Sequence, residues 1–179
     1  MTDHAHGDTP RLEAYFCYDD YTDDDLDEMP CVRAPADGDW SGFAEMAEEN
    51  EDDIGTVVIR SGDHEVRIED SLIATVQNVC LSAVPKLIGR EHVVVRLFTV
   101  YGYVRMDPEG SDQLVLGDFI EPVRLPRAEL IPALVEVGRT YLRFLESIRA
   151  DDDDFTITID RVRAQLEAAD AALAGWDGT

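Results

Sequence analysis

The run His92–Met106 reads HVVVRLFTVYGYVRM. β-Branched and aromatic residues dominate it, and both of its alternating faces are partly apolar. It therefore predicts a central strand covered on both sides. Gly102 marks a bulge or bend within it. Asp107-Pro108-Glu109-Gly110-Ser111-Asp112 supplies turn chemistry, and Gln113–Val123 predicts a strand that returns beside the first.

The flanks extend this pattern. Upstream, Thr56–Arg60 and Glu65–Glu69 predict two short strands joined by Ser61-Gly62-Asp63-His64, a hairpin connection. Asp70 or Ser71 caps the helix that follows. Its apolar positions are Leu72, Ile73, Val76, Val79, Cys80, Ala83, Val84, Leu87 and Ile88, spaced as one helical face, with Gly89 as the stop. Pro85 should kink or shorten that helix. Downstream, Pro126 opens a helix reaching about Arg149, with Leu130, Ile131, Leu134, Val137, Tyr141, Leu142, Leu145 and Ile148 as its buried stripe. After the Asp151–Asp154 run, Phe155, Ile157 and Ile159 alternate with threonines and predict a half-buried strand. Asp160 then caps a last helix that turns Val162, Leu166, Ala169 and Leu173 inward.

The N-terminal third differs in character. Residues 1–11 are polar, Leu12–Tyr18 predicts a strand, and Asp19–Glu28 (DDYTDDDLDE) is a solvated acidic run. Pro30 and Pro35 argue for irregular structure between Met29 and Ala36. Trp40–Asn50 predicts a short helix with Phe43, Met46 and Ala47 on one face. The expected fold is α+β: an antiparallel, hairpin-based sheet with helices packed mainly on one face, preceded by an acidic, irregular N-terminal segment. With 179 residues it is read as one domain, residues 1–54 flanking or packing on a body of 55–179.

Charge narrows the function classes. The formal net charge is -24, of which residues 1–54 carry -16, residues 55–150 only -2, and residues 151–179 carry -6. So negative a chain argues against direct contact with nucleic acid or an anionic membrane, since both require a positive field. High-salt adaptation spreads acids over a whole surface, whereas the middle of this chain is nearly balanced. A halophilic housekeeping domain is thus the weaker alternative to an acidic interface. No apolar run approaches a membrane span, and no secretory signal precedes the body. The three cysteines, Cys17, Cys31 and Cys80, form no C-x-x-C pair. They are read as reduced thiols of a soluble cytoplasmic protein, with Cys31 the most exposed.

Two groups of acids are candidate sites. The first is a partner-binding set: Asp19, Asp20, Asp23, Asp24, Asp25, Asp27, Glu28, Glu45, Glu48, Glu49, Glu51, Asp52 and Asp53. Clustered carboxylates steer a basic partner, such as a toxin, nuclease or nucleic-acid-binding protein, and occupy the groove that would otherwise hold its polyanion. Tyr15, Phe16, Tyr18, Tyr21 and Trp40 lie close by in sequence and are either aromatic anchors of that interface or core. The second group is Asp37–Glu48, DGDWSGFAEMAE. Locally it resembles an EF-hand calcium loop, with Asp37, Asp39, Ser41, Gly42 and Glu48 at loop positions 1, 3, 5, 6 and 12 and Glu45 at position 9. It departs from that pattern in Ala44 at position 8, in the prolines before it and in lacking a second loop. The rival reading is a capped helix start.

For catalysis the sequence offers little. There is no G-x-S-x-G elbow and no phosphate-binding glycine loop, and no paired carboxylates stand out from so many. His4 and His6 lie on a polar terminus, His64 in a turn and His92 at a strand start. Neither enzymatic activity nor a cofactor is expected, apart from the calcium alternative.

Overall fold

The computed structural model describes residues 12–19, 31–35, 38–49, 53–98, 102–117, 122–149 and 153–178, the side chains at 19, 46–49, 149 and 153–155 excepted. The fold is α+β, as expected, but its hairpins are divided between two four-stranded antiparallel sheets.

The first sheet contains β1 (Glu13–Asp19), β2 (Cys31–Arg33), β3 (Ile54–Ser61) and β4 (His64–Ser71), in the order β2-β1-β3-β4. Its register follows the period-two pattern of the sequence. Phe16 pairs with Val57, Val57 with Ile68, and Ile59 with Val66, so these apolar residues share the core face. The segment expected as a strand at Leu12–Tyr18 is thus β1, Glu13–Asp19, an internal strand of a sheet that also holds the Ile54–Ser71 hairpin.

Helix α1 (Ser41–Glu49) adds Phe43 beneath this sheet, beside Trp40. Phe43, Trp40, Phe16 and Tyr18 then meet Tyr141 and Phe144 of the long helix α4 (Arg127–Arg149). Ring centroids lie 5.3 Å apart for Phe16–Tyr141, 5.1 Å for Phe43–Phe144 and 5.3 Å for Trp40–Phe144. Aromatic pairs at such separations gain about 0.5–1.5 kcal/mol each beyond the area they bury. Phe16, Tyr18 and Trp40 are therefore core residues and not interface anchors. Tyr15 lies on the opposite face under two guanidinium groups, those of Arg33 and Arg60, at 4.2 and 5.6 Å.

The segment after β4 departs from a straight helix in the manner Pro85 dictates. Helix α2 (Leu72–Thr75) widens into a π-helical stretch, Val76–Leu81, where the Ser82 N–H reaches back five residues to the Gln77 carbonyl at 2.9 Å. The chain then restarts as α3 (Val84–Ile88), with Pro85 in its first turn. Proline lacks the N–H that a continuous helix would use and would strike the carbonyl four residues earlier, so the helix breaks and restarts. The apolar stripe survives the break, because Leu72, Val76, Val79, Cys80, Ala83, Val84 and Leu87 are all buried. Two glycines permit close approach here. A methyl at Gly55 would lie 2.7 Å from Leu72, and one at Gly138 of α4 would collide with Leu81.

The second sheet corrects the reading of His92–Met106 as one strand. That stretch folds back on itself into β5 (Val93–Leu97) and β6 (Gly102–Glu109), and Gln113–Val123 likewise divides into β7 (Gln113–Gly117) and β8 (Val123–Pro126). The order is β5-β6-β7-β8. Val93, Val104, Met106, Leu114, Leu116 and Leu125 face the core, whereas Val94, Phe98 and Tyr103 are exposed, so one face only is covered. Apolar side chains on both faces had suggested burial on both sides. The outer face instead keeps its apolar groups in solvent.

Phe155–Ile159 is also corrected. These residues belong to a single helix, α5 (Asp153–Ala174), whose inward side chains include Ile159, Val162, Leu166 and Ala169. A five-residue alternation cannot be told from a helical start when the helical period dominates from residue 159 onward. Helix α4 packs on β1, on the π-helical segment and on α5. Among the described residues no helix is long and apolar enough to cross a membrane.

Candidate functional site

The acidic segment is tied down at its neck. Asp19 pairs with Cys31 and Tyr18 with Val32 across the β1–β2 ladder, so residues 20–30 connect two antiparallel neighbours. Cys17 and Cys31 lie diagonally across this ladder, with Cα atoms 5.6 Å apart, and are joined as a disulfide. That corrects the expectation of three reduced thiols. Cys80 alone is free, and its burial raises the thiol pKa far above the usual range.

Of the partner-binding set, Asp20, Asp23, Asp24, Asp25, Asp27, Glu28, Glu51 and Asp52 lie outside the described residues, as do the side chains of Asp19, Glu48 and Glu49. Glu45 is exposed on α1. Asp53 has a different role. Its carboxylate accepts from the Tyr18 hydroxyl at 2.6 Å, the Tyr141 hydroxyl at 3.2 Å and the Ile73 N–H at 2.9 Å. Its carbonyl accepts from the Leu72 N–H at 2.8 Å. Asp53 thus binds β1, α4 and the N-terminus of α2 together. Its φ of 50° is left-handed, a region that aspartate tolerates better than most residues. Tyr141 is fully buried. Burial first, and then the Asp53 charge, raises its hydroxyl pKa well above the ordinary value.

In the calcium-like stretch, the helix begins at Ser41, the fifth position of the presumed loop. The Ser41 N–H and hydroxyl both donate to Asp39 Oδ1, at 3.3 and 2.8 Å, and these bonds lower the Asp39 pKa. Asp39 therefore behaves as a helix-capping acid. Ser41 and Glu48 are seven residues apart on a helix, which places their Cα atoms roughly 10 Å apart along its axis. Asp37 lies outside the described residues. No cluster of three metal-ligating side chains occurs among the described residues.

Sequence reasoning missed two buried charged residues. Asp70 is 1 % exposed and accepts from the Phe98 N–H at 2.8 Å, linking the end of β4 to the end of β5. Arg127 is equally buried. Its guanidinium donates to the Leu87 carbonyl at 2.9 Å and the Ile88 carbonyl at 2.6 Å, closing the C-terminus of α3, and it stacks on Trp176 at 5.0 Å. Arg127 stands where the sequence shows only a first helical turn, and nothing local marks it. Asp70 had a visible signal, the inward register of β4, where Val66 and Ile68 precede it at period two.

A groove of about 750 Å³ runs beside α4, lined by Leu12, Ala14, Pro132, Ala133 and Leu173. Its charged groups serve structure: Glu129 accepts from the Leu12 N–H at 3.0 Å, Glu13 pairs with Arg33 at 2.6 Å, and Glu136 with Arg139. Comparison with protein-family models, curated proteins and solved structures finds no match for this chain.

Proposed function

We propose that this chain is a non-enzymatic acidic protein-binding protein that covers a basic groove of its partner, in the manner of an immunity protein or a nucleic-acid mimic. The observation that carries the reading is the placement of the charge excess. Residues 1–54 hold -16 of the net -24, and the densest acids, at 19–28, sit between two strands paired at their bases. Acids on a connection anchored at both ends lose less entropy on docking than acids on a free tail. A basic toxin, nuclease or nucleic-acid-binding protein is the partner class this favours.

The Asp53 contacts refine the set. Its carboxylate serves the fold, and residues 19–28 with Glu45, Glu48, Glu49, Glu51 and Asp52 remain the favoured contact acids. The cytoplasm is the compartment proposed. The Cys17–Cys31 bond argues the other way, because such bonds persist mainly in oxidising compartments.

The experiment is affinity capture from native lysate at low and at high salt. A basic protein should be retained at low salt and released near molar salt. A variant with Asp23, Asp24, Asp25 and Asp27 changed to Asn should retain far less of it. Capture that ignores both salt and these substitutions refutes the reading.

A further inference from the structure

The free edge of the second sheet carries its own recognition chemistry. Strand β5 is terminal in the order β5-β6-β7-β8, so among the described residues one row of its backbone N–H and C=O groups has no partner strand. A groove of about 290 Å³ runs along it. One wall is Val93, Val94, Val95 and Arg96, four consecutive residues. Only a strand edge presents consecutive residues to one cavity, because side chains on a sheet face alternate. The opposite wall is helical, with Asn78, Ser82 and Lys86. A slot between a strand edge and a helix is the geometry by which extended peptides add to a sheet.

The side chains around the slot fit such a ligand. Phe98 is 71 % exposed and Val94 49 %, and Tyr103 is exposed on β6, directly across from Arg96. The cations are equally distinctive. Among the described residues, Arg33, Arg60, Arg67, Arg105, Arg124, Arg139, Arg143 and Arg163 all meet carboxylates. Lys86 and Arg96 of the groove and Arg90 just beyond α3 meet none there, and the same holds for Arg161 on α5. In a chain with 39 acids and 15 lysines and arginines, three such cations close to one sheet edge are not a result of scarce carboxylates.

We infer that the β5 edge is a docking site for an extended, acidic peptide segment of a partner protein, which adds as a fifth strand with the carboxylates of one face toward Lys86 on the helical wall and the apolar side chains of the other face toward Val94 and Phe98, Arg96 adding to the positive field of the edge. Charge complementarity selects this occupant over a second copy of the chain. Edge-to-edge pairing of two β5 strands would bring Arg96 and Lys86 of both copies together, inside two molecules that each carry -24. The site is distinct from the acidic segment, so its test is independent of the function proposed above.

The test is fluorescence anisotropy on the full chain with a labelled octapeptide of alternating Val and Glu, a Val/Lys octapeptide, and a Val/Glu octapeptide N-methylated at every second residue. Binding of the first should exceed the other two by about tenfold or more, and Lys86→Glu with Arg96→Glu should weaken it about tenfold and reverse the Val/Glu over Val/Lys preference. Phe98→Ala, which alters one exposed side chain, should also weaken it with unchanged circular dichroism. Equal binding of all three peptides overturns the proposal. So does a concentration-dependent dimer that Arg96→Glu dissociates, since the occupant would then be a second copy. Binding seen only after the acids at 23–27 are changed to Asn would assign the edge to the chain's own acidic segment. Competition by an oligothymidylate of ten nucleotides would assign it to single-stranded nucleic acid.

Discussion

Replacing Asp53 with Ala should remove more stability than any other single change among the acids of residues 1–54. The variant loses a carboxylate that accepts from two tyrosine hydroxyls and from the Ile73 N–H. Hydrogen bonds to a charged group contribute about 1.5–3 kcal/mol each when well buried, and this site, being only partly buried, falls at the lower end. The Tyr141 hydroxyl, with no exposed surface, would be left without this acceptor, at about 1–3 kcal/mol. Losing the bond at the start of α2 resembles losing a helix cap, about 1 kcal/mol. Alanine also tolerates φ = 50° less well than aspartate. These effects share atoms and do not add in full, so the expected loss is about 3–5 kcal/mol. Domains of this kind have about 5–15 kcal/mol in total. Asp53→Asn keeps one acceptor oxygen and the left-handed tolerance and should lose about 1–2 kcal/mol. Urea denaturation followed by circular dichroism measures both. A loss under about 1 kcal/mol for Asp53→Ala would refute the idea that this residue ties β1, α2 and α4 together.

Three further outcomes follow from the buried groups. Native, unreduced protein should show no thiol reactive to Ellman's reagent, unfolding without reductant should expose Cys80 alone, and reduction should bring the count to three. A reactive thiol in the native protein would contradict the Cys80 burial. The folded Tyr141 pKa is raised above the unfolded value of about 10, so its stabilisation is complete below that pH. Above it the unfolded state ionises first, and stability should fall by about 1.4 kcal/mol per pH unit for this group as pH rises toward the folded pKa. Urea midpoints between pH 9 and 11 should show that fall, with a shallower slope in Tyr141→Phe. Arg127→Met should cost about 2–4 kcal/mol by leaving the Leu87 and Ile88 carbonyls without these donors. Arg127→Lys should not restore it, because an ammonium lacks the planar fork that spans both carbonyls. Thermal unfolding distinguishes these from wild type.

Much of the fold is legible where one period dominates. The stripes of α4 and of residues 72–88 are buried as their spacing dictates, and the break at Pro85 follows from the proline itself. The failures share a cause. His92–Met106 is apolar on both faces, and apolar content alone does not distinguish one long covered strand from a hairpin whose outer face is exposed. Phe155–Ile159 alternates for only five residues, too few to outweigh the helix that continues through Ala174. The candidate site was less legible still. Asp53 sits in an acidic run with Glu51 and Asp52, and nothing local separates the member that turns inward. Its partners, Tyr18, Ile73 and Tyr141, come from three distant parts of the chain.

A net charge of -24 counts carboxylates without regard to what each one does. Asp39 caps α1, Asp53 and Asp70 turn inward, Asp107 and Glu109 meet arginines, and Glu136 and Glu146 do the same on α4. Removing the committed acids raises the relative weight of residues 19–28 in any account of an acidic interface. The same reasoning applies to the bases. Most described arginines are neutralised by neighbours, so Lys86, Arg90 and Arg96, which with Arg161 of α5 meet no carboxylate among the described residues, stand out as a group although the molecule as a whole is strongly anionic. On this reading the chain offers two surfaces of opposite sign, one at the neck of the first sheet and one along the edge of the second. Charge reversal at Lys86 and Arg96 should then leave capture of a basic partner intact, and amidation at 23–27 should leave the peptide site intact. If either change abolished both, the two surfaces would be one site, and the separation argued from the sheet order would fail.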